Sequence, residues 1–100
     1  MNFSYNFQGI DIEWDSDKAT ANLRNHDIPF EIACEAFFDP FLRVEDAGVI
    51  EGEQREAVIG LTIDWKLLYV VYVMREETIR IISARFATAS ERKIYEDPRT

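Results

Sequence analysis

"REAVIGLTIDWKLLYVVYVMREETIRIISA", residues 55–84, decides the fold. β-branched and aromatic residues fill three runs, 55–63, 67–75 and 78–84, separated only by Asp64-Trp65-Lys66 and by Glu76-Glu77. Connections this short permit antiparallel neighbours alone, because a parallel return needs a crossover of roughly a dozen residues or more. The stretch predicts an antiparallel β-meander, and the remaining residues must supply the layer that covers it.

Upstream, Ile10, Ile12 and Trp14 alternate with Asp11 and Glu13, which predicts a half-buried strand over 8–14. Asp15 stands where a helix N-cap belongs, and Ala19, Leu23 and His26 follow at helical spacing, so a helix is expected over 16–25. Pro29 blocks its continuation and suits the first turn of a second helix, expected to bury Phe30, Ala33, Cys34, Phe37 and Phe38 before Asp39-Pro40 stops it. "FLRVED", 41–46, reads as a short strand, and "AGVIEGEQ", 47–54, as a loop holding Gly48 and Gly52. Downstream, "TASE", 88–91, has the spacing of a capping box in which Thr88 and Glu91 satisfy each other's backbone amides, opening a last helix that Asp97-Pro98 ends. The expected class is α+β in a single domain over 1–100: an N-terminal strand and two helices, the meander, and a C-terminal helix, with the helices against one face.

Composition narrows the function classes. Apolar residues make up 47% of the chain, enough for a globular core. The longest apolar run, 67–74, is far short of the roughly 20 residues a membrane helix needs. The N-terminus has neither the basic start nor the apolar stretch of a secretory signal, so a cytoplasmic location with no membrane association is expected. Cys34 is the single cysteine, which rules out an internal disulfide and reads as a buried thiol. Glycine occurs only at 9, 48, 52 and 60, so neither a phosphate-cradling loop nor a dinucleotide fingerprint can be written. One histidine and one cysteine exclude the usual zinc sites, and a hydrolase triad would have to use His26. No metal and no cofactor are expected.

What chemistry remains lies in the cations. The formal net charge is −8, yet residues 79–95 carry Arg80, Arg85, Arg92 and Lys93 against Glu91 alone. A guanidinium stays protonated, so it clamps a phosphate and stabilises charge that builds up in a transition state, but it is a poor base. In a regular strand Arg80 and Arg85 face opposite sides, and Arg85 meets Arg75 only if twist brings the ends of their strands together. Proton transfer needs another group. His26 is the candidate because imidazole both takes and gives a proton near neutrality, and Lys18, Asn22 and His26 lie along one stripe of the first helix. His26 also suits a purely structural place at that helix's C-terminal end, and Tyr72 and Tyr95 are alternative proton donors.

"EWDSDKATANLRNHDIPFEIACEAFFD", 13–39, followed by "IRIISARFATASERKIY", 79–95, resembles the BrnT family of type II toxin–antitoxin ribonucleases, which share a RelE-like fold. The matching residues include Trp14, Lys18, Asn22, His26 and Phe30 in the first half. In the second half they include Arg55, Ile59-Gly60, Tyr72, Arg75, the 79–85 run, Thr88, Glu91 and Tyr95. The resemblance implies a toxin that cuts RNA without a metal and is held inactive by an antitoxin, commonly a ribbon-helix-helix protein, through which alone it meets DNA. Carried onto this chain, it implies Arg75 and Arg85 as phosphate stabilisers, with Arg80, Lys18 and His26 behind them. Where the family often places glycine after the histidine, this chain has Asp27, which must then take the left-handed turn. A reading of another class makes the chain a non-catalytic module that engages the DNA-binding partner as a co-repressor.

Overall fold

The computed structural model describes residues 1–98. In chain order it holds β1 (Asn2–Phe7), β2 (Ile10–Asp15), α1 (Ser16–His26) and α2 (Phe30–Ala33), which runs on as a 3₁₀ segment (Cys34–Phe38). Then come β3 (Arg43–Ile50), β4 (Glu53–Leu61), β5 (Leu67–Arg75), β6 (Thr78–Phe86) and α3 (Ala89–Glu96). The six strands form one sheet in the order β1-β2-β6-β5-β4-β3. β3 to β6 make the expected antiparallel meander. β2 joins it alongside β6 in parallel, with Ile12 opposite Ile79 and Glu13 opposite Arg80, so the sheet is mixed. The long excursion through α1, α2 and three strands is what lets β2 and β6 run the same way.

Two stretches differ from the expectation. The N-terminal strand is a hairpin, because Phe3, Tyr5 and Phe7 alternate with Asn2, Ser4 and Asn6, and Gln8 and Gly9 both take positive φ (53° and 88°) to make the two-residue turn. The loop expected over 47–54 is mostly strand: β3 runs through Val49 and Ile50, Glu51 and Gly52 make the turn, and β4 starts at Glu53.

The inner face of the sheet packs on α1, α2 and the 3₁₀ segment. Its core joins Ile12, Trp14, Phe30, Ala33, Cys34, Val58, Leu68, Val70, Ile81 and Ala84. An aromatic ladder closes one side, with Phe3 stacked on Trp14 at 5.0 Å and Trp14 edge-on to Phe30 at 5.8 Å. Phe38 stays exposed, contrary to expectation: the tighter 3₁₀ winding after Ala33 turns it outward to meet Phe7 edge-on at 5.0 Å. Gly60 is where this layer comes closest to the sheet, since a Cβ there would stand 2.5 Å from the carbonyl oxygen of Ala36.

Asp15 caps α1 through its carboxylate on the Lys18 amide, and Asp27 ends it in the left-handed conformation (φ 61°). Asn22, buried on α1, has a task of its own. Its Nδ2 donates to the carbonyls of Ala84 (2.9 Å) and Ile28 (3.1 Å), while its Oδ1 accepts from the Ala84 amide (3.0 Å). β2 pairs with β6 only through Ile79 and Arg80, so the amide of Asn22 serves as strand partner further along.

The helices do not all share one face. α3 packs near β4 on the outer face, because the Thr88–Glu91 capping box is coupled to Arg85, which points outward. That correction bears directly on the arginines.

Candidate functional site

Cross-strand partners share a face, so the β5–β6 register assigns the arginines. Arg75 lies opposite Thr78, Val73 opposite Arg80 and Tyr69 opposite Arg85; all of these β5 residues are odd-numbered and therefore point one way. Strict alternation would have split Arg80 from Arg85. A bulge prevents it: Val71 pairs with Ser83 and Tyr72 with Ile81, leaving Ile82 over and restoring Arg85 to the side of Arg80. All three arginines thus occupy the outer face. The same bulge keeps both Ile81 and Ala84 in the inner core.

They do not form one cluster. Arg75 and Arg85 stand at opposite ends of the β5–β6 hairpin, six positions apart, or roughly 20 Å at strand rise. The hairpin register overturns the expectation that the two meet on one phosphate. Arg85 belongs to the end covered by α3. Its two terminal nitrogens fork onto Glu91 at 2.8 Å each, and its guanidinium lies 4.3 Å over the Tyr69 ring. This hydrogen bonding holds the Glu91 carboxyl below its usual range and pushes the Arg85 guanidinium up.

At the uncovered end, Arg80 donates to Glu13 at 2.7 Å and to Asn2 Oδ1 at 3.0 Å, with a side chain only 13% exposed. Arg75 donates to both oxygens of Glu53 (3.1 and 3.3 Å) and is half exposed. Continuing the β4–β5 register places Arg55 opposite Val73, so Arg55 and Arg80 flank Val73 from either side. Glu53 is held below its ordinary pKa first by hydrogen bonding from Arg75, and then by the charges of Arg75, Arg55 and Arg80 together. Arg55 has no carboxylate partner among the described residues, and its Nε is buried with nothing to donate to. A buried donor left unmade costs on the order of 1–3 kcal/mol. Three guanidiniums, Arg55, Arg75 and Arg80, therefore share this corner with Glu13 and Glu53, with Glu76 and Glu77 beside Arg75, and Arg55 is the cation of the group without a carboxylate partner.

Lys18 and His26 are exposed on α1, a different element from the strands that carry the arginines. Tyr72 donates to Glu56 at 3.3 Å and Tyr95 to Asp39 at 2.5 Å. Burial, assisted by those carboxylates, pushes each phenol up to about 12, so both serve as hydrogen-bond donors near neutral pH. Asp39 also accepts from the Leu61 and Phe41 amides and so ties the 3₁₀ segment, β4 and α3 together. Cys34, buried and likewise pushed up to about 12, takes no part in the site.

The sequence named Arg75, Arg80 and Arg85 as site residues, gave Arg55 no role beyond a family match, and gave Glu53 and Glu13 none in the site. Alternation along 53–61 places Glu53 and Arg55 on the side opposite the Val58 core position, and for Glu53 that signal is masked by taking 47–54 for a loop.

Fold and site together define a small α+β protein whose mixed sheet carries arginines on its outer face. Residues 14–91 match the family of ribonuclease toxins described as BrnT, of type II toxin-antitoxin systems, and the chain belongs to that family. Its fold is similar to that of the crystal structure of the Brucella abortus ribonuclease toxin BrnT. The TM-score is 0.51 at 22% identity, over 75% of this chain and 92% of that one. Among curated proteins none matches.

Proposed function

We propose that this chain is a cytoplasmic endoribonuclease toxin that cuts RNA without a metal and is neutralised by a ribbon-helix-helix antitoxin, through which it meets DNA. The observation that carries this reading is the bulge at Ile82, which collects Arg75, Arg80 and Arg85 on one sheet face. In the reaction the RNA 2′-hydroxyl attacks the adjacent phosphorus while the bond to the 5′ oxygen breaks. The 2′ proton is taken up, a proton reaches the departing 5′ oxygen, and a cyclic phosphate remains. Arg75 and Arg80 are the proposed stabilisers of the charge gathering on the phosphoryl oxygens, each supplying hydrogen bonds that strengthen as that charge develops. Arg85, at the far end of the hairpin, is proposed to hold a phosphate elsewhere along the strand. Lys18 and His26, the proton-transfer candidates read from the sequence, belong to α1 rather than to the arginine-bearing strands, and proton transfer at this corner is proposed to fall to groups of the outer face.

The test is total RNA incubated with pure protein in the presence and absence of a chelator. Cleavage should persist with the chelator, fall by about 100-fold in Arg80→Gln, and survive in His26→Ala. No cleavage by the wild type, or cleavage that the chelator abolishes, overturns the reading.

One observation favours the second reading, a co-repressor module that binds its antitoxin without cutting. Arg75, Arg80 and Arg85 are each already paired with a carboxylate, on a chain of formal charge −8. Under that reading pure protein leaves RNA intact at every salt concentration while still binding the antitoxin.

A further inference from the structure

We propose that Arg55, Arg75 and Arg80 form a single phosphate-binding site and that Glu53 occupies it as an internal stand-in, leaving when an RNA phosphate arrives. The proposal rests on the RNA-cleaving reading for the identity of its ligand.

Its parts differ in how firmly they are held. Arg80 is fixed from two sides, by Glu13 on β2 and by Asn2 on β1, and its side chain is mostly covered. Arg55 starts on the neighbouring side of Val73, with its Nε buried and unpartnered. Arg75 and Glu53 are both substantially exposed, at 51% and 39%, and an ion pair this open contributes little and exchanges readily. Arg80 is therefore a fixed wall of the site, while Arg75 is a fork that opens. The corner already holds an anion, since the Glu53 carboxylate takes two hydrogen bonds from Arg75 there. A carboxylate offers two oxygens in a plane, and Arg75 takes both, while the Nε of Arg55 has no acceptor. A phosphodiester carries its acceptors tetrahedrally and can serve three guanidiniums that approach from different directions. The adjoining depression is rimmed by Glu76 and Glu77 beside Arg75 and Thr78. Entry is therefore driven by close contacts rather than by a long-range field, and the ligand must bring enough oxygens to displace Glu53.

The experiment is fluorescence anisotropy of a labelled 2′-O-methyl RNA oligonucleotide, which cannot be cut, with inorganic phosphate as competitor and a thermal melt on every variant. Glu53→Gln should bind about fivefold more tightly than wild type. Arg55→Gln should bind at least about tenfold more weakly, with Arg55→Lys in between. If Glu53→Gln melts early, Glu53→Asp, whose shorter arm reaches Arg75 poorly, should tighten binding in the same direction. Unchanged or weaker binding by both Glu53 variants, or unchanged binding by Arg55→Gln, overturns the proposal. So does a result in which these variants alter binding of the antitoxin but not of the oligonucleotide. The two readings fail separately. Wild type that cuts RNA while Arg55→Gln binds normally sinks this site alone, whereas binding that moves as expected in a protein that never cuts sinks the nuclease alone.

Discussion

The inner and outer faces of this sheet are built from the same strands, yet they obey different constraints. The inner face is apolar, closed by three helical segments, and fixed by volume: β2, β4, β5 and β6 contribute the buried residues that fill space with Phe30, Ala33 and Cys34. The outer face is fixed by direction. Arg55, Arg75, Arg80 and Arg85 have few packing neighbours to choose between, and where each guanidinium goes depends on register and on one extra residue, Ile82. A packing error on the inner face costs stability; the loss of an outward-facing arginine costs the site and leaves the fold standing, whereas a register slip would cost both.

If that contrast is right, the largest effect belongs to the one inner residue that works by direction. Asn22→Ala would strip three hydrogen bonds and leave both the amide and the carbonyl of Ala84 buried without partners. We expect a loss of about 3 kcal/mol in chemical denaturation. Because Ala84 follows the bulge, the same variant should loosen Arg85 and Ser83, visible as faster amide exchange along the end of β6. A loss below about 1 kcal/mol would mean that water replaces the side chain, and that apolar volume alone holds the inner face.

A smaller effect sharpens the volume side. Gly60→Ala puts a methyl group 2.5 Å from the Ala36 carbonyl oxygen, closer than real Cβ contacts come, and the obstacle is backbone rather than a flexible side chain. The 3₁₀ segment must lift off β4, with an expected cost of about 2 kcal/mol. Since Gly60 lies on the inner face, oligonucleotide binding by the folded variant should match wild type. A binding defect at unchanged stability would show that the two faces are coupled.

The same contrast explains what the sequence disclosed. β5, the α1 and α3 caps and the buried Cys34 were legible because period-two and capping patterns are local. So was Asp27, whose left-handed φ follows from the lack of a glycine between α1 and α2. The N-terminal hairpin carried a readable signal in Phe3, Tyr5 and Phe7, hidden only by starting the strand at Gln8. The parallel β2–β6 pairing was not legible, since the residues that join there are separated by most of the chain. Nor was the site. Arg80 and Arg85 are an odd number of positions apart and should point to opposite sides; that they do not is decided by a bulge with no glycine or proline to announce it. Arg55 stood at the start of an expected strand, but its neighbour Glu53 came into view only with the β3–β4 turn at Glu51-Gly52.

The smallest expected effect tests how the outer face is held at its covered end. Glu91 accepts both terminal nitrogens of Arg85 and the Thr88 amide, and these bonds hold its carboxyl below the ordinary value of 4.5. In the unfolded chain the carboxyl returns to that ordinary value. A group whose folded pKa is depressed contributes stability that is fully present above the unfolded pKa and is lost as pH falls through the folded one. The window therefore lies below 4.5, with full stabilisation at neutrality. Glu91→Gln should melt earlier than wild type at about pH 7 by less than about 1 kcal/mol, since Arg85 is a third exposed and solvent screens the pair. The gap should close as both are acidified below 4.5. A gap that persists in acid would mean that the charge pair is not its source, because once Glu91 is protonated neither protein has an anion to pair with Arg85. In that event Arg85 is held by its stacking on Tyr69, and the fork onto Glu91 follows from where α3 sits rather than deciding it.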